Sequence, residues 1–278
     1  MNGRKWKWDG MGRWLLIDDG PASGSENMAR DEFLLDRTGE GSMPPVLRIY
    51  RFDPPALSIG FHQNPVKALD IDAVRNDGID IVRRITGGRA LLHDGELTYC
   101  IAAPAGSVLF DSGLDISFRM IAKVLVRAFR SVGVGAGLVR GCRPPGRTGL
   151  LSPCLSSVSR HEIAAAGRKL VGSAQRRTRS SVLQHGSILM RPASAAIVRY
   201  TGGDEESLGR RITSVYEEAG RDVGADEMRA SLIEAFEEVF DAEWEAFEFG
   251  MRDLDDIERR RLAKAGEFEA LLNEEVAV

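Results

Sequence analysis

The sequence predicts an α+β fold, with largely antiparallel sheets flanked by helices. Strand-like segments of period 2 fill its middle, and amphipathic segments of period 3.6 lie towards its ends. No run approaches the ~20 apolar residues of a membrane helix. At 278 residues, 43% hydrophobic and 28% charged, the chain can bury a core for one large domain or two small ones.

Ser23-Gly24-Ser25-Glu26 fits a capping box opening a helix over 27–35, with Met28, Leu34 and Leu35 among its apolar positions. Strands follow at 46–52, 56–60, 79–85 and 97–103. The last sets Leu97, Tyr99 and Ile101 against Thr98, Cys100 and Ala102, the alternation of a half-buried strand, and makes Cys100 a packing residue. Residues 115–132 place Phe118, Ile121, Leu125 and Phe129 on one helical face.

The stretch 133–152, rich in Gly, Pro and Arg, reads as a long loop of the kind that forms lids. Its Gly135-Ala136-Gly137 is not a dinucleotide fingerprint, because it follows a helix and the third glycine is misplaced. Short strands at 162–166 and 168–174 turn at Ala166-Gly167, and another strand covers 182–190. A helix begins at Asp226 with the stripe Met228, Leu232, Ala235, Phe236 and Val239, and a charged helix covers 253–273.

Three cysteines in a chain this long argue for reduced thiols and a cytoplasmic setting. The net charge of −4 argues against wholesale nucleic-acid binding. The charge is uneven. Arg140, Arg143, Arg147, Arg168, Arg176, Arg177 and Arg179 cluster in sequence, a basic rim suited to an acidic protein partner.

Two segments carry chemistry. Cys154 stands 15 residues before Lys169, and folding back at Ala166-Gly167 would aim the lysine at whatever precedes the hairpin. A neighbouring cation favours the thiolate, the form that acts as a nucleophile. Cys142, among arginines near a proline pair, is the weaker rival. The second segment is Arg84-Ile85-Thr86-Gly87-Gly88-Arg89, with His93 in the short strand beyond. Paired glycines let backbone approach a ligand, and the flanking arginines suggest an anionic or carbonyl-bearing one. His185 falls in a strand, where a core role is the default reading.

RRITGGRALLHDGELTY, Cys154, GRKLVGSAQ and LQHGSILM together resemble the lipoate/biotin protein ligase and octanoyltransferase superfamily, and within it the cysteine-dependent octanoyl-carrier-protein:protein N-octanoyltransferases. The likeness runs from Arg13 to about Phe249. Arg89 stands where ligases more often carry a third glycine, and the thiol stands where the transferases keep theirs. Leu155 replaces the phenylalanine common after the cysteine, and His161 precedes Glu162 where an aromatic residue is common.

The resemblance implies the ligase-like catalytic fold over 13–249 with a helical C-terminal tail at 250–278. It implies Cys154 and Lys169 as catalytic residues. Substrate contacts would come from Arg84, Thr86, Gly87, Gly88, Arg89 and His93, and from Gly172, Ser173, Ala174 and His185. It implies no cofactor and no metal. The donor would be octanoyl-acyl carrier protein, and the acceptor a lipoyl domain such as glycine cleavage H protein or a 2-oxoacid dehydrogenase E2. Neither nucleic acid nor membrane would be a partner. Three alternatives stay open: an amidotransferase between acceptor proteins, an ATP-dependent lipoate ligase, and a non-catalytic module that grips acyl or lipoyl domains.

Overall fold

The computed structural model describes residues 12–139 and 162–276, with side chains to residue 266. In chain order its strands are β1 (Arg13–Ala22), β2 (Val46–Phe52), β3 (Ala56–Ile59), β4 (Asp80–Arg83), β5 (Leu91–His93), β6 (Leu97–Pro104), β7 (Ala136–Leu138), β8 (Ile163–Ala165), β9 (Arg168–Arg177), β10 (Ser181–Ile188) and β11 (Glu243–Ala246). The helices are α1 (Gly24–Gly39), α2 (Pro65–Ala68), α3 (Ile71–Asn76), α4 (Val108–Asp111), α5 (Gly113–Ser131), α6 (Ala196–Thr201), α7 (Glu205–Arg211), α8 (Val215–Ala219), α9 (Ala225–Phe240) and α10 (Met251–Val276).

The large sheet has the order β11-β1-β2-β6-β10-β9-β8-β7, and a smaller one the order β4-β3-β5. Most neighbours are antiparallel. Exceptions are β11 on β1, β1 on β2, and β3 on β4. The sheets are therefore mixed, and the parallel pairs sit where a helical crossover separates the strands.

Ser23 caps α1, its hydroxyl accepting from the Glu26 amide at 3.3 Å. The Glu26 carboxylate turns to Arg30 instead of back to the cap, so the helix starts at Gly24 and runs a turn beyond the predicted end. The β8–β9 turn is the one expected. Ala166 and Gly167 take φ of +47° and +78°, the positive pair that suits a two-residue hairpin.

One expectation is overturned at β6. It is buried along almost its whole length, because β2 and β10 flank it and both faces are covered. Leu97, Tyr99 and Ile101 join α5 and α9 in one apolar cluster, while Cys100 and Ala102 join α1 in another. Burial pushes the Cys100 thiol well above its ordinary pKa, as its packing role requires. The predicted loop from residue 133 also holds an edge strand, β7, paired to β8. Helix α10 lies on α1, with Ile257 in the second cluster and Arg260 bonded to Asp36.

Candidate functional site

A cleft of about 470 Å³, counting its open mouth, lies between the large sheet and the loop that follows β4. Gly172, Ala174, His185, Ser187, Thr98 and Tyr50 contribute its floor. Ser58, Arg84, Gly88, Leu91 and His93 contribute the opposite wall, and Met28 of α1 also lines it. The glycine loop and the β9–β10 segment, 80 or more residues apart in sequence, are thus brought to one cavity. Its size suits a small ligand.

The loop is held from within. Gly60 passes so close to Gly88 that an added Cβ would stand 2.0 Å from the Gly88 carbonyl oxygen, so only glycine fits. Arg84 is buried and donates to the carbonyls of Gly87 (3.1 Å), Arg89 (2.7 Å) and Ser58 (3.1 Å). Its guanidinium thus satisfies inward-turned backbone oxygens that the tight turn would otherwise orphan. Arg84 therefore braces the loop while also lining the cleft. Thr86, Gly87 and Arg89 support the loop without lining the cleft.

Both histidines are engaged. His93 Nε2 lies 2.8 Å from Ser58 Oγ, and its Nδ1 contacts Glu96, with Phe52 stacked on the ring at 3.8 Å. His185 Nε2 lies 2.6 Å from Thr86 Oγ1, and its Nδ1 lies 2.8 Å from Asp31 Oδ2. Burial alone would raise the Asp31 pKa. The His185 hydrogen bond and the Arg48 charge overcome that and hold the carboxyl below its usual range. An ionised Asp31 only accepts, so Nδ1 of His185 carries the proton of that bond.

Arg48 completes this network. It bonds Asp31 at 2.8 Å, Asp19 at 2.9 Å and the Asn27 side chain at 2.6 Å, all with no exposure of its own. Tyr50 donates to Asp31 at 2.9 Å, and the Arg48 guanidinium sits 3.8 Å from the Tyr50 ring centroid. The ring is therefore fixed at one end of the cleft floor.

On β9, three residues before Gly172, Lys169 is 1% exposed and bonds Glu162 at 2.5 Å. Glu162 is the first described residue after the segment that carries Cys154, so the ammonium sits where that segment rejoins the sheet. A carboxylate therefore shares the field of this cation. Cys154, Cys142, Arg140, Arg143 and Arg147 lie outside the described residues. Of the remaining basic rim, Arg168 is paired to Glu217 and Glu218, Arg176 lies over Phe61, and Arg177 donates to the Phe110 carbonyl. The rim is thus partly committed to the fold.

Ser173 also lines the cleft. Its hydroxyl lies 2.8 Å from Tyr99 Oη, on the sheet face away from the cleft, so it presents backbone to the ligand side. Sequence reasoning missed Ser58, Tyr50, Thr98, Ser187, Asp31, Arg48, Glu96 and Glu162. Two left a signal: Glu96 stands three residues after His93, and Arg48 is the buried charge of an otherwise mostly apolar strand, VLRIYRF.

The lipoyl protein ligase A/B catalytic domain matches residues 23–237. Octanoyltransferase LipM of Kyrpidia tusciae is 36% identical over 261 residues, covering 90% of this chain and 95% of that protein. Octanoyltransferase LipM of Symbiobacterium thermophilum is 38% identical over 234 residues, covering 80% and 85%. Among solved structures, lipoate-protein ligase A bound with ATP superposes with a TM-score of 0.74 at 24% identity, covering 92% of this chain and 96% of that one. The bipartite lipoate protein ligase of Thermoplasma acidophilum, solved within a study that includes its E2 lipoyl domain, gives 0.72 at 23% identity, covering 92% and 93%. These two establish the shared fold.

Proposed function

The chain belongs to the lipoyl protein ligase A/B catalytic-domain family, and we propose that it transfers octanoyl groups from an acyl carrier protein to a lysine of a lipoyl domain. Octanoyl transfer in lipoate assembly is the activity its relatives are named for. One observation carries the chemical reading: buried Lys169 sits where the Cys154 segment rejoins the sheet, three residues before Gly172 of the cleft floor.

In the first step the Cys154 thiolate attacks the carbonyl carbon of the donor thioester. A carbon–sulfur bond forms to Cys154, and the carrier's thiolate leaves. In the second step the neutral lysine amine of the acceptor attacks that carbonyl. The amide bond forms, Cys154 leaves as thiolate, and the amine proton passes to solvent. Exchange between thioesters is nearly isoenergetic and the amide product drives the second step, so no ATP is consumed. Lys169 favours the thiolate and can bond the acyl carbonyl as charge develops on its oxygen. Gly88 and Gly172 leave the chain room beside backbone.

Incubation with octanoyl-carrier protein should add a hydroxylamine-labile octanoyl mass to Cys154 without ATP. Labelling at Cys142 would overturn the assignment, as would ATP-dependent transfer from free lipoate that survives Cys154→Ser. Faster labelling from an octanoylated H protein than from the carrier would move the reading to an amidotransferase.

A further inference from the structure

The cleft floor is a rank of residues that runs across the strands. Gly172 of β9 pairs with Ser187 of β10, Ser187 with Thr98 of β6, and Thr98 with Tyr50 of β2. All four line the cleft. The rank begins with a residue that has no side chain, continues with two small ones, and stops at the fixed Tyr50 ring.

One atom in this rank stands out. Thr98 is 2% exposed, and its Oγ1 has no hydrogen-bond partner among the described residues. The neighbouring polar groups of the cleft, on His185, Ser58 and Tyr50, are bonded. A buried hydroxyl without a partner is uncommon and calls for an explanation.

Distance points to what would lie over it. Strands are spaced by about 4.8 Å, so Gly172 to Thr98 is two spacings, about 10 Å, and Tyr50 lies one spacing further. With carbon–carbon bonds near 1.5 Å at tetrahedral angles, the seven bonds of an extended eight-carbon chain span about 9 Å. We infer that Thr98, backed by Tyr50, reads the end of the acyl chain and sets its length at eight carbons. The reacting carbonyl lies over Gly172, on the strand that also carries Lys169, the chain crosses the sheet, and its terminal carbons come to rest over Thr98. The inference rests on the acyl-transfer reading for that orientation.

The test compares hexanoyl, octanoyl and decanoyl thioesters as donors, and the binding of the three free fatty acids, in the wild type and in Thr98 variants. Thr98→Leu should shift the preference to hexanoyl and lower kcat/KM for octanoyl about tenfold. Thr98→Ala should raise decanoyl relative to octanoyl about tenfold. Thr98→Val keeps the shape and removes the hydroxyl, so it should keep the length preference and bind octanoate several-fold more tightly. That variant also keeps the test decisive should the leucine variant fail to fold. An unchanged C6:C8:C10 ratio in Thr98→Ala, or weaker octanoate binding in Thr98→Val, would overturn the inference. A wild type that transfers no acyl group but binds octanoate best, with the binding profile shifted in the variants, would overturn the transfer reading and leave the length reading standing.

Discussion

The two faces of the eight-stranded sheet are built from alternate residues of the same strands, yet they obey different rules. On one face Tyr99 and Ile101 meet Ile121, Leu125 and Phe129 of α5 and Leu232 and Phe236 of α9. Shape and apolar area dominate that face, with Tyr99 Oη bonded to Ser173 and Gln184. On the other, Arg48, Asp31, His185 and Thr98 lie among apolar neighbours from α1. There each charge needs a partner, because an unpaired buried charge costs more than a lost methyl group. The apolar face can absorb small changes in shape. The polar face holds the cleft, and it trades that tolerance for fixed geometry.

The largest expected effect comes from breaking the polar face. Arg48→Met takes the buried cation from Asp31 and Asp19, leaving Asp31 only its His185 and Tyr50 bonds, and should destabilise the fold by about 3–5 kcal/mol. Urea unfolding measures it, and a loss under about 1 kcal/mol would show that the two faces respond alike.

Asp31→Asn probes the same face through pH. Because the folded pKa of Asp31 lies below its ordinary value, its contribution is fully present above about pH 4 and is lost as pH falls through the folded pKa. The variant should be less stable than the wild type by about 2 kcal/mol at pH 7. That gap should narrow as pH falls below about 4. A gap that stays constant across this range would mean that Asp31 acts through shape alone.

The smallest effect belongs to the apolar face. Ile101→Val removes one buried methylene and should cost about 1 kcal/mol, independent of pH. A strong pH dependence there would tie the two faces together.

How much of this was legible in the sequence follows from the range of the interactions involved. The β8–β9 hairpin was readable because Ala166-Gly167 sets its turn locally. The stripes of α5 and α9 were readable because 3.6-residue spacing is local too. Strand β1 was missed: its RWLLIDDGPA is interrupted by a bulge between Asp18 and Gly20, and its partner β11 is distant in sequence. The Arg48–Asp31–His185 network was invisible because its members come from β2, α1 and β10, and a charged residue in isolation reads as exposed. His185 and Gly172 were placed in the cleft through family likeness, whereas Thr98 looked like the polar side of a half-buried strand. Lys169 stood out in the sequence, but its partner Glu162 did not, since only the folded hairpin brings their side chains together.

The pairing of β1 with β11 also bears on the order in which the chain assembles. Arg13 pairs with Glu243 and Leu16 with Ala246, a separation of 230 residues. Trp14 is packed by Phe236, Phe240 and Trp244 from the same late stretch, at centroid distances of 5.9, 5.4 and 6.3 Å. During synthesis the outer edge of β1 must therefore wait, with its backbone donors unpaired and its tryptophan uncovered, until nearly all of the sheet has left the ribosome. Closing so long a loop makes this pairing a slow step of folding. The sheet grows from its centre, and its β11 edge is the margin that a nascent chain leaves open longest.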